Sequence, residues 1–186
     1  MMHWFALKVF YNKVFDIEKA LEKEHIETYI PCEETLVIRN GIKKTVRKPM
    51  ISSLMFFRAT TTDALKVQKM FTDKVILYTR LEDMKRIPLV IPDEEMNTFM
   101  LVTSAGEKGI EYYDDAPKFH QGDRVRVTDG KFKGAEGYIC RVKKNRRLVV
   151  SIQGVCAVLT SYIPRSFLEI ISKKPTVSEP IKEAHT

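Results

Sequence analysis

One stretch near the C-terminus, residues 122–139, constrains the fold of this chain more than any other segment. It reads GDRVRVTDGKFKGAEGYI: polar and apolar residues alternate as on a strand, a glycine-rich loop follows, and a second strand-like run begins. Gly130, Gly134 and Gly137 suit backbone positions where φ must be positive or where a Cβ would clash. The segment therefore predicts two strands joined by a tight loop, with Phe132 and its flanking lysines exposed to solvent at the tip.

Five short runs of strand-like residues make up this part of the chain, at 124–128, 136–143, 146–152, 155–161 and near 167–171. That many short strands in about 55 residues is typical of a small β-barrel. The region is also basic, because residues 118–174 hold 13 Lys and Arg against 4 Asp and Glu, whereas residues 1–105 hold 16 against 14. Such a charge favours a polyanionic partner such as nucleic acid or the ribosome, although a surface kept basic for solubility has the same composition.

The first hundred residues predict an α+β domain, a mixed or antiparallel sheet with packed helices. The run from His3 to Phe10 is apolar enough for a strand buried on both faces, and residues 13–24 show the spacing of an amphipathic helix. Asn40-Gly41 between two strand-like runs is a strong hairpin signal, because both residues tolerate positive φ. Thr62-Asp63 and Pro92 are predicted to begin two further helices.

The composition shifts predict four segments. They are an N-terminal domain at 1–104, a linker at 105–117, a barrel at 118–172 and a disordered tail at 173–186.

The residues that usually carry catalysis or metal binding show no matching pattern, so we expect neither an enzyme nor a cofactor. The four histidines share no ligand spacing with Asp, Glu or Cys, and no nucleotide-binding or nucleophile motif occurs. Three widely spaced cysteines predict reduced thiols and a cytoplasmic protein. No apolar run approaches the roughly 20 residues of a membrane span, and no signal peptide is visible, so no membrane partner is expected.

The glycine-rich segment resembles the KOW motif of small SH3-like barrels that bind RNA or proteins. With the preceding α+β half, the chain resembles the NusG family of transcription elongation and antitermination factors. Trp4-Phe5-Ala6 is similar to the family's first strand, and residues 90–96 are similar to the start of its last N-terminal helix. The resemblance spans essentially residues 3–171.

This resemblance implies that the N-terminal domain binds the clamp helices of RNA polymerase through an apolar patch that includes Tyr11, Ile51, Val75 and Tyr78. Ser52-Ser53-Leu54 departs from the Pro-Gly-Tyr turn that relatives carry there. The alternative is that these apolar residues belong to the core of the domain and contact no partner. An isoleucine-to-glutamate change at position 51 is the test that the sequence suggests.

At the junction of the first strand and helix, Tyr11, Asn12 and Lys13 offer a ring, an amide and a cation where relatives approach the non-template DNA strand. Stacking on an aromatic ring contributes about 1–3 kcal/mol per base. A second interpretation stands beside this one, in which Asn12 only caps the helix and Lys13 is solvated.

The resemblance also implies that the barrel recruits a ribosomal protein or the termination factor Rho through Phe132, Ile152 and Gln153. Gln153 and Val155 stand where relatives often have an aromatic and a basic residue, which favours a specialised family member. A basic hairpin could bind nascent RNA, although a solvated turn is an equal alternative. Its cations are Lys143, Lys144, Arg146 and Arg147.

The function expected from the sequence is thus a non-enzymatic elongation factor that holds the polymerase clamp and tethers a second partner. The alternative is a ribosome-associated RNA-binding KOW protein. Some family members keep a helical C-terminal domain, which the β-alternation of residues 122–161 disfavours here.

Overall fold

A computed structural model describes residues 1–113, 122–142 and 144–173. The N-terminal module contains β1 (His3–Val9), α1 (Val14–Lys23), β2 (Thr28–Tyr29), β3 (Cys32–Arg39), β4 (Ile42–Pro49), β5 (Leu54–Ala59), α2 (Thr61–Met70), β6 (Val75–Leu77), β7 (Thr79–Glu82), β8 (Lys85–Pro88) and α3 (Asp93–Thr103). The C-terminal module contains β9 (Glu111–Tyr113), β10 (Arg124–Val127), β11 (Glu136–Val142), β12 (Asn145–Ile152), β13 (Cys156–Tyr162) and β14 (Leu168–Ser172). The predicted fold class, an α+β module followed by an all-β module, is confirmed.

The N-terminal module is built on an antiparallel sheet with the strand order β2-β5-β1-β6. Side chains of the central strand β1 alternate between two cores, and Trp4 through Leu7 are all buried, as the apolar run predicts. Phe5 and Leu7 pack on the side of α1 and α2, whereas Trp4 and Ala6 belong to the cluster that contains α3 residues. The sheet is therefore covered by helices on both faces.

The helix starts differ from the sequence prediction in two places. Lys13 is the N-terminal boundary residue of α1 and no side chain caps this helix, because Asn12 lies one residue too early, with a left-handed φ of 55°. Thr60 rather than Thr62 caps α2, since its hydroxyl oxygen accepts from the amide of Asp63 at 3.1 Å. Pro92 precedes α3 as predicted.

Two hairpins extend from the sheet as separate two-stranded ribbons, β3–β4 and β7–β8. The turn of the first is at Asn40-Gly41, and both residues have positive φ, 51° and 77°, as the dipeptide predicts. The second hairpin was not predicted from the sequence.

The C-terminal module is one antiparallel sheet with the order β14-β10-β11-β12-β13-β9. Its last five strands match the five predicted runs closely. Strand β9 lies within the segment predicted as a linker, and it pairs with β13 because Tyr112 and Tyr113 both pack against clusters of this module. Residues 114–117 of that linker and residues 174–186 of the predicted tail lie outside the described residues.

The two modules share an apolar core. One cluster of buried side chains includes Trp4, Phe56 and Phe99 of the N-terminal module together with Val150 and Ile152 of β12. Helix α3 provides the link, because it packs on the sheet through an edge-to-face contact between Phe56 and Phe99, with centroids 5.3 Å apart, and also contacts β12 and β13. Such an aromatic pair contributes about 0.5–1.5 kcal/mol beyond its buried area.

Candidate functional site

One end of the N-terminal sheet presents an exposed apolar side chain on the face that carries α3. On the face that carries α3, Lys8 of β1 lies between Ile76 of β6 and Leu54 of β5. Leu54 is buried, whereas Lys8 is exposed and Ile76 is 51% exposed. An isoleucine this exposed beside a cation is a candidate contact for another protein. We call the surface of Lys8 and Ile76 the open sheet end.

Sequence reasoning missed Ile76 because it lies within an apolar run. Val75 and Leu77 are buried, and only strand alternation places Ile76 on the opposite face. The alternation of side chains along the strand could have indicated that Ile76 faces away from Val75 and Leu77. It does not indicate which face of the sheet is exposed, because that depends on the elements that pack on the sheet.

The structure distributes the four predicted polymerase-binding residues over different surroundings. Ile51 is buried and Tyr78 half-buried, and both pack in the cluster on the α3 side of the sheet. Val75 is buried on the opposite side, among the residues that α1 and α2 cover. Tyr11 lies beyond the end of β1 and is 76% exposed. Ile51 and Tyr78 therefore share a cluster, and the other two do not join them.

The predicted DNA-binding residues form an exposed turn between β1 and α1. Tyr11 and Asn12 both have left-handed backbones, with φ of 59° and 55°. Non-glycine residues in this region are strained, and such strain occurs often at functional sites. Lys13 pairs with Asp16 at 2.9 Å, and its hydrogen bond and charge lower the pKa of the Asp16 carboxyl.

This turn lies at the same end of the sheet as Ile76. The amide of Val9 donates to the carbonyl of Ser53, and the amide of Phe10 donates to the carbonyl of Lys74, which precedes β6. The backbone thus ties the exposed turn to the open sheet end.

The glycine-rich loop of the C-terminal module has the backbone that the sequence predicts but a different side-chain arrangement. Gly130 and Gly134 have φ of +80° and +92°. Phe132, expected at the solvent-facing tip, is only 5% exposed and lies in the shared core. The ring turns inward because the loop folds back, with the amide of Gly134 bonded to the carbonyl of Val127. Lys131 pairs with Glu107 at 2.7 Å.

The other predicted partner-binding residues of this module lie near α3. Ile152 is fully buried in the shared core, whereas Gln153 is exposed. The amide of Gln153 donates to Oε2 of Glu95, in the first turn of α3, at 3.3 Å. In this structure the N-terminal module therefore occupies part of the surface that the sequence assigns to a partner.

The predicted basic hairpin divides into exposed and buried cations. Lys144 is exposed, Arg146 is half-buried, and Lys143 lies outside the described residues. Arg147 is buried and donates to the carbonyl of Thr160, to the carbonyl of Gly109 at 2.6 Å and to Glu111 Oε1 at 2.5 Å. These bonds attach β9 and the preceding residues to the rest of the C-terminal module.

Two tyrosines at the boundary between the modules are engaged in packing contacts. The hydroxyls of Tyr29 and Thr103 lie 2.5 Å apart, and the hydroxyl of Tyr112 donates to the sulfur of Met50. Burial raises the pKa of both phenols. Their neutral hydroxyls therefore serve to join the base of the β3–β4 hairpin, α3 and β9.

Within residues 1–113, 122–142 and 144–173, no group of three or more His, Cys, Asp or Glu side chains is arranged to hold a metal ion. Among the helices of these same ranges, none is both long and apolar enough to cross a bilayer.

Comparison with known proteins identifies the N-terminal module. A family model described as "Transcription termination factor nusG" matches residues 2–100. A solved structure that concerns domain interaction in Thermotoga maritima NusG is similar at 16% sequence identity, covering 92% of this chain and 98% of that chain with a TM-score of 0.43. The search of curated proteins found no match. Because the family model matches more than half of the residues of this chain, the chain belongs to the NusG family of transcription factors.

Proposed function

We propose that this chain is a transcription elongation and antitermination factor that binds the clamp helices of RNA polymerase through its N-terminal module. The observation that carries the proposal is the open sheet end, where the apolar side chain of Ile76 is exposed beside Lys8. Polymerase binding is the general activity of the family to which the chain belongs. Tyr78, half-buried two residues after Ile76, extends this surface towards the shared core, in which Ile51 is buried.

The exposed turn would place a second contact on the transcription bubble. Tyr11 is open for stacking on a base, and the side chain of Asn12 does not cap α1. Lys13 is half exposed and would exchange its pair with Asp16 for a phosphate. Because the turn is tied to the open sheet end, a polymerase bound there would hold the non-template strand within reach of all three residues. Stacking would contribute about 1–3 kcal/mol and would tolerate many sequences.

The C-terminal module would recruit the second partner, a ribosomal protein or Rho. Ile152 is buried on β12, which α3 contacts, and Gln153 bonds to α3, so a partner that uses these two residues must first displace the N-terminal module. Phe132 is buried as well, so its ring reaches a partner only if the glycine-rich loop rearranges. The apparent affinity for that partner is then lower than the intrinsic affinity, by the fraction of molecules in which the modules are apart. Lys144 and Arg146 remain available for nascent RNA.

A binding assay with purified RNA polymerase and the full-length chain tests the polymerase contact. Ile76→Glu places a charge in the proposed apolar contact, and the side chain is exposed enough for the fold to tolerate it. Leu65→Glu is the matched control, because Leu65 is similarly exposed, at 45%, but lies on α2 at the other side of the sheet. Burying an unpaired charge costs at least about 1.4 kcal/mol, which corresponds to a tenfold loss of affinity.

The expected result is a loss of about tenfold or more for Ile76→Glu and a change below about twofold for Leu65→Glu. Circular dichroism establishes that both variants are folded. If the two variants bind the polymerase as tightly as the wild type, the open sheet end is not the contact surface and the proposal is wrong in its central element.

A further inference from the structure

The β3–β4 hairpin projects from the N-terminal module as an arm. Its strands pair over eight residue pairs, from Cys32 with Pro49 to Arg39 with Ile42, and every residue from Glu33 to Lys48 is exposed. Eight strand residues extend about 26 Å. An isolated two-stranded ribbon is marginally stable in water. A partner that covers the arm would therefore stabilise it.

Among the described residues, the ion pair and the ring contact between the arm and the body lie at the base of the arm. Arg47 pairs with Glu18 of α1 at 3.2 Å and lies over the ring of Phe15, 5.2 Å from its centroid. Within the hairpin, Lys48 pairs with its cross-strand partner Glu33 at 3.6 Å, which joins the two strands near the base. These contacts orient the arm and leave its outer half free to enter a partner.

Apolar side chains occupy both faces of the outer half. Because strand residues alternate and cross-strand partners share a face, Val37, Ile42 and Val46 lie on one face. Leu36 and Ile38 lie on the other face, and Leu36 and Ile42 are exposed to 70% and 71%. A single flat protein surface would cover one of these sets and leave the other in water.

Cations also occupy both faces, and acidic residues are confined to the base. Lys44 pairs with Val37 and shares a face with Arg39, whereas Lys43 pairs with Ile38 on the opposite face. Among the described residues, none of these three cations forms an ion pair, and the only carboxylates of the hairpin are Glu33 and Glu34. The charge of the outer half therefore favours a partner that is negatively charged on two sides.

We propose that the β3–β4 hairpin inserts into the major groove of B-form duplex DNA. That groove is about 12 Å wide and 8.5 Å deep and admits a two-stranded β-ribbon. Its walls carry phosphates on both sides, which match the cations on both faces, and thymine methyl groups on its floor offer apolar contacts. The minor groove is about 6 Å wide, and the A-form major groove of RNA is deep and narrow, so neither accepts the arm.

This contact goes beyond the proposed function and does not depend on it. The polymerase surface, the exposed turn and the arm use different residues, so each can fail alone. The arm is expected to bind duplex DNA without the polymerase, whereas the exposed turn is suited to a single strand.

The first test measures binding of the full-length chain to a fluorescent 20-base-pair DNA duplex of mixed sequence across a range of salt concentrations. The variant is Lys43→Ala with Lys44→Ala. The matched control is Lys85→Ala with Arg86→Ala, which removes two exposed cations from the other hairpin. Losing two phosphate contacts lowers the slope of log affinity against log salt by about 1.8 and the affinity by about tenfold or more.

The arm variant is expected to show these changes, and the control is expected to stay within about twofold of the wild type. Equal losses in both variants would mean that general positive charge, not the arm, attracts the DNA. If the arm variant binds the duplex like the wild type but loses polymerase binding, the arm contacts protein and the proposal is overturned.

The second test identifies the groove. Dimethyl sulfate methylates N7 of guanine, which lies in the major groove, so the wild-type chain at saturation is expected to protect guanines in the duplex and the arm variant to protect fewer. The arm variant and the wild type should bind single-stranded DNA of this sequence with the same affinity. Unprotected guanines, or a duplex RNA bound as tightly as duplex DNA, would overturn insertion into the major groove.

Discussion

At the scale of single residues, Gly137 sets how closely two strands of the C-terminal module approach. A Cβ at this position would collide with the carbonyl oxygen of Val149 and would lie 3.2 Å from the Leu148 side chain. Gly134 differs, because its φ is +92° but the space around it is open. The two glycines are therefore required for separate reasons, one for close packing and one for a left-handed backbone.

Replacing each glycine by alanine is expected to separate these reasons. Gly137→Ala should lower the free energy of unfolding by about 3 kcal/mol, since backbone must move to admit the methyl group. Gly134→Ala should cost about 1–2 kcal/mol, from the left-handed backbone alone. Denaturant unfolding monitored by circular dichroism measures both values. A smaller cost at Gly137 than at Gly134 would contradict the close-packing explanation.

Arg147 illustrates a side chain whose role depends on what surrounds it. In the sequence it is one of four clustered cations, whereas in the structure it is buried and bonded to Glu111 and to carbonyls on either side. Glu111 is half exposed, so screening weakens the ionic part of this pair, and the hydrogen bonds to carbonyls carry most of the contribution.

Arg147→Ala is expected to destabilise the chain by about 2–4 kcal/mol, because it removes a buried donor and leaves its acceptors unpaired. The neighbouring Arg146→Ala is the control, and its effect should be within about 0.5 kcal/mol. Thermal unfolding measures both. Equal stability of the two variants would show that the inward bonds of Arg147 contribute little.

At the scale of secondary-structure elements, the ends of the helices were harder to predict than their cores. Helix α2 begins one residue after Thr60, whose hydroxyl oxygen accepts from the amide of Asp63 and whose hydroxyl donates to its carboxylate at 2.7 Å. Hydrogen bonds from Lys66 and then Thr60 lower the pKa of Asp63. Three successive threonines offered the same chemistry, and only the backbone of Thr60, with ψ of 159°, suits a cap.

Thr60→Ala is expected to cost about 1 kcal/mol of stability, because one of the free amides of the first turn loses its acceptor. Thr62→Ala removes a hydroxyl of the same kind two residues further along the chain, and it should leave the stability nearly unchanged. Denaturant unfolding of the two variants compares them directly. If Thr62→Ala is the more costly change, the helix begins where the sequence analysis placed it.

At the scale of the whole molecule, the shared core makes the two modules one cooperative unit. Helix α3 contacts both the N-terminal sheet and β12, so unfolding either module exposes apolar surface on the other. Burial of such surface contributes about 25 cal/mol per Å², so separating the modules costs free energy in proportion to the apolar area that they share. The proposed recruitment of a partner by Ile152 and Gln153 works against this coupling, because both residues lie at the contact with α3.

A single unfolding transition is therefore expected for the full-length chain. Trp4 is the only tryptophan and lies in the shared core, so its fluorescence reports on the N-terminal sheet and on its contact with the C-terminal module. Amide hydrogen exchange of β11 to β13 reports on the C-terminal module. The two probes should give the same unfolding midpoint, within error, in denaturant. Separate midpoints would show that the modules fold independently.

Much of the fold followed from the sequence because local patterns carry it. The strand alternation around Gly130 and Gly134, the apolar run of β1 and the Asn40-Gly41 turn are set by backbone preferences and periodicity, which neighbours far along the chain do not alter. The resemblance to the NusG family rests on the glycine-rich segment, on Trp4-Phe5-Ala6 and on residues 90–96. The family match over residues 2–100 includes the last two of these and confirms the family.

Tertiary structure alone decided which of these side chains face a partner. Ile76 is open while Val75 is covered, Phe132 is inside while Lys144 is outside, and Arg147 is buried while Arg146 is not. Residue type and spacing are the same whichever face a strand turns to the core. Only the packing of α3 between the two modules, and the extension of the β3–β4 hairpin away from both, determines which surfaces water and other molecules reach.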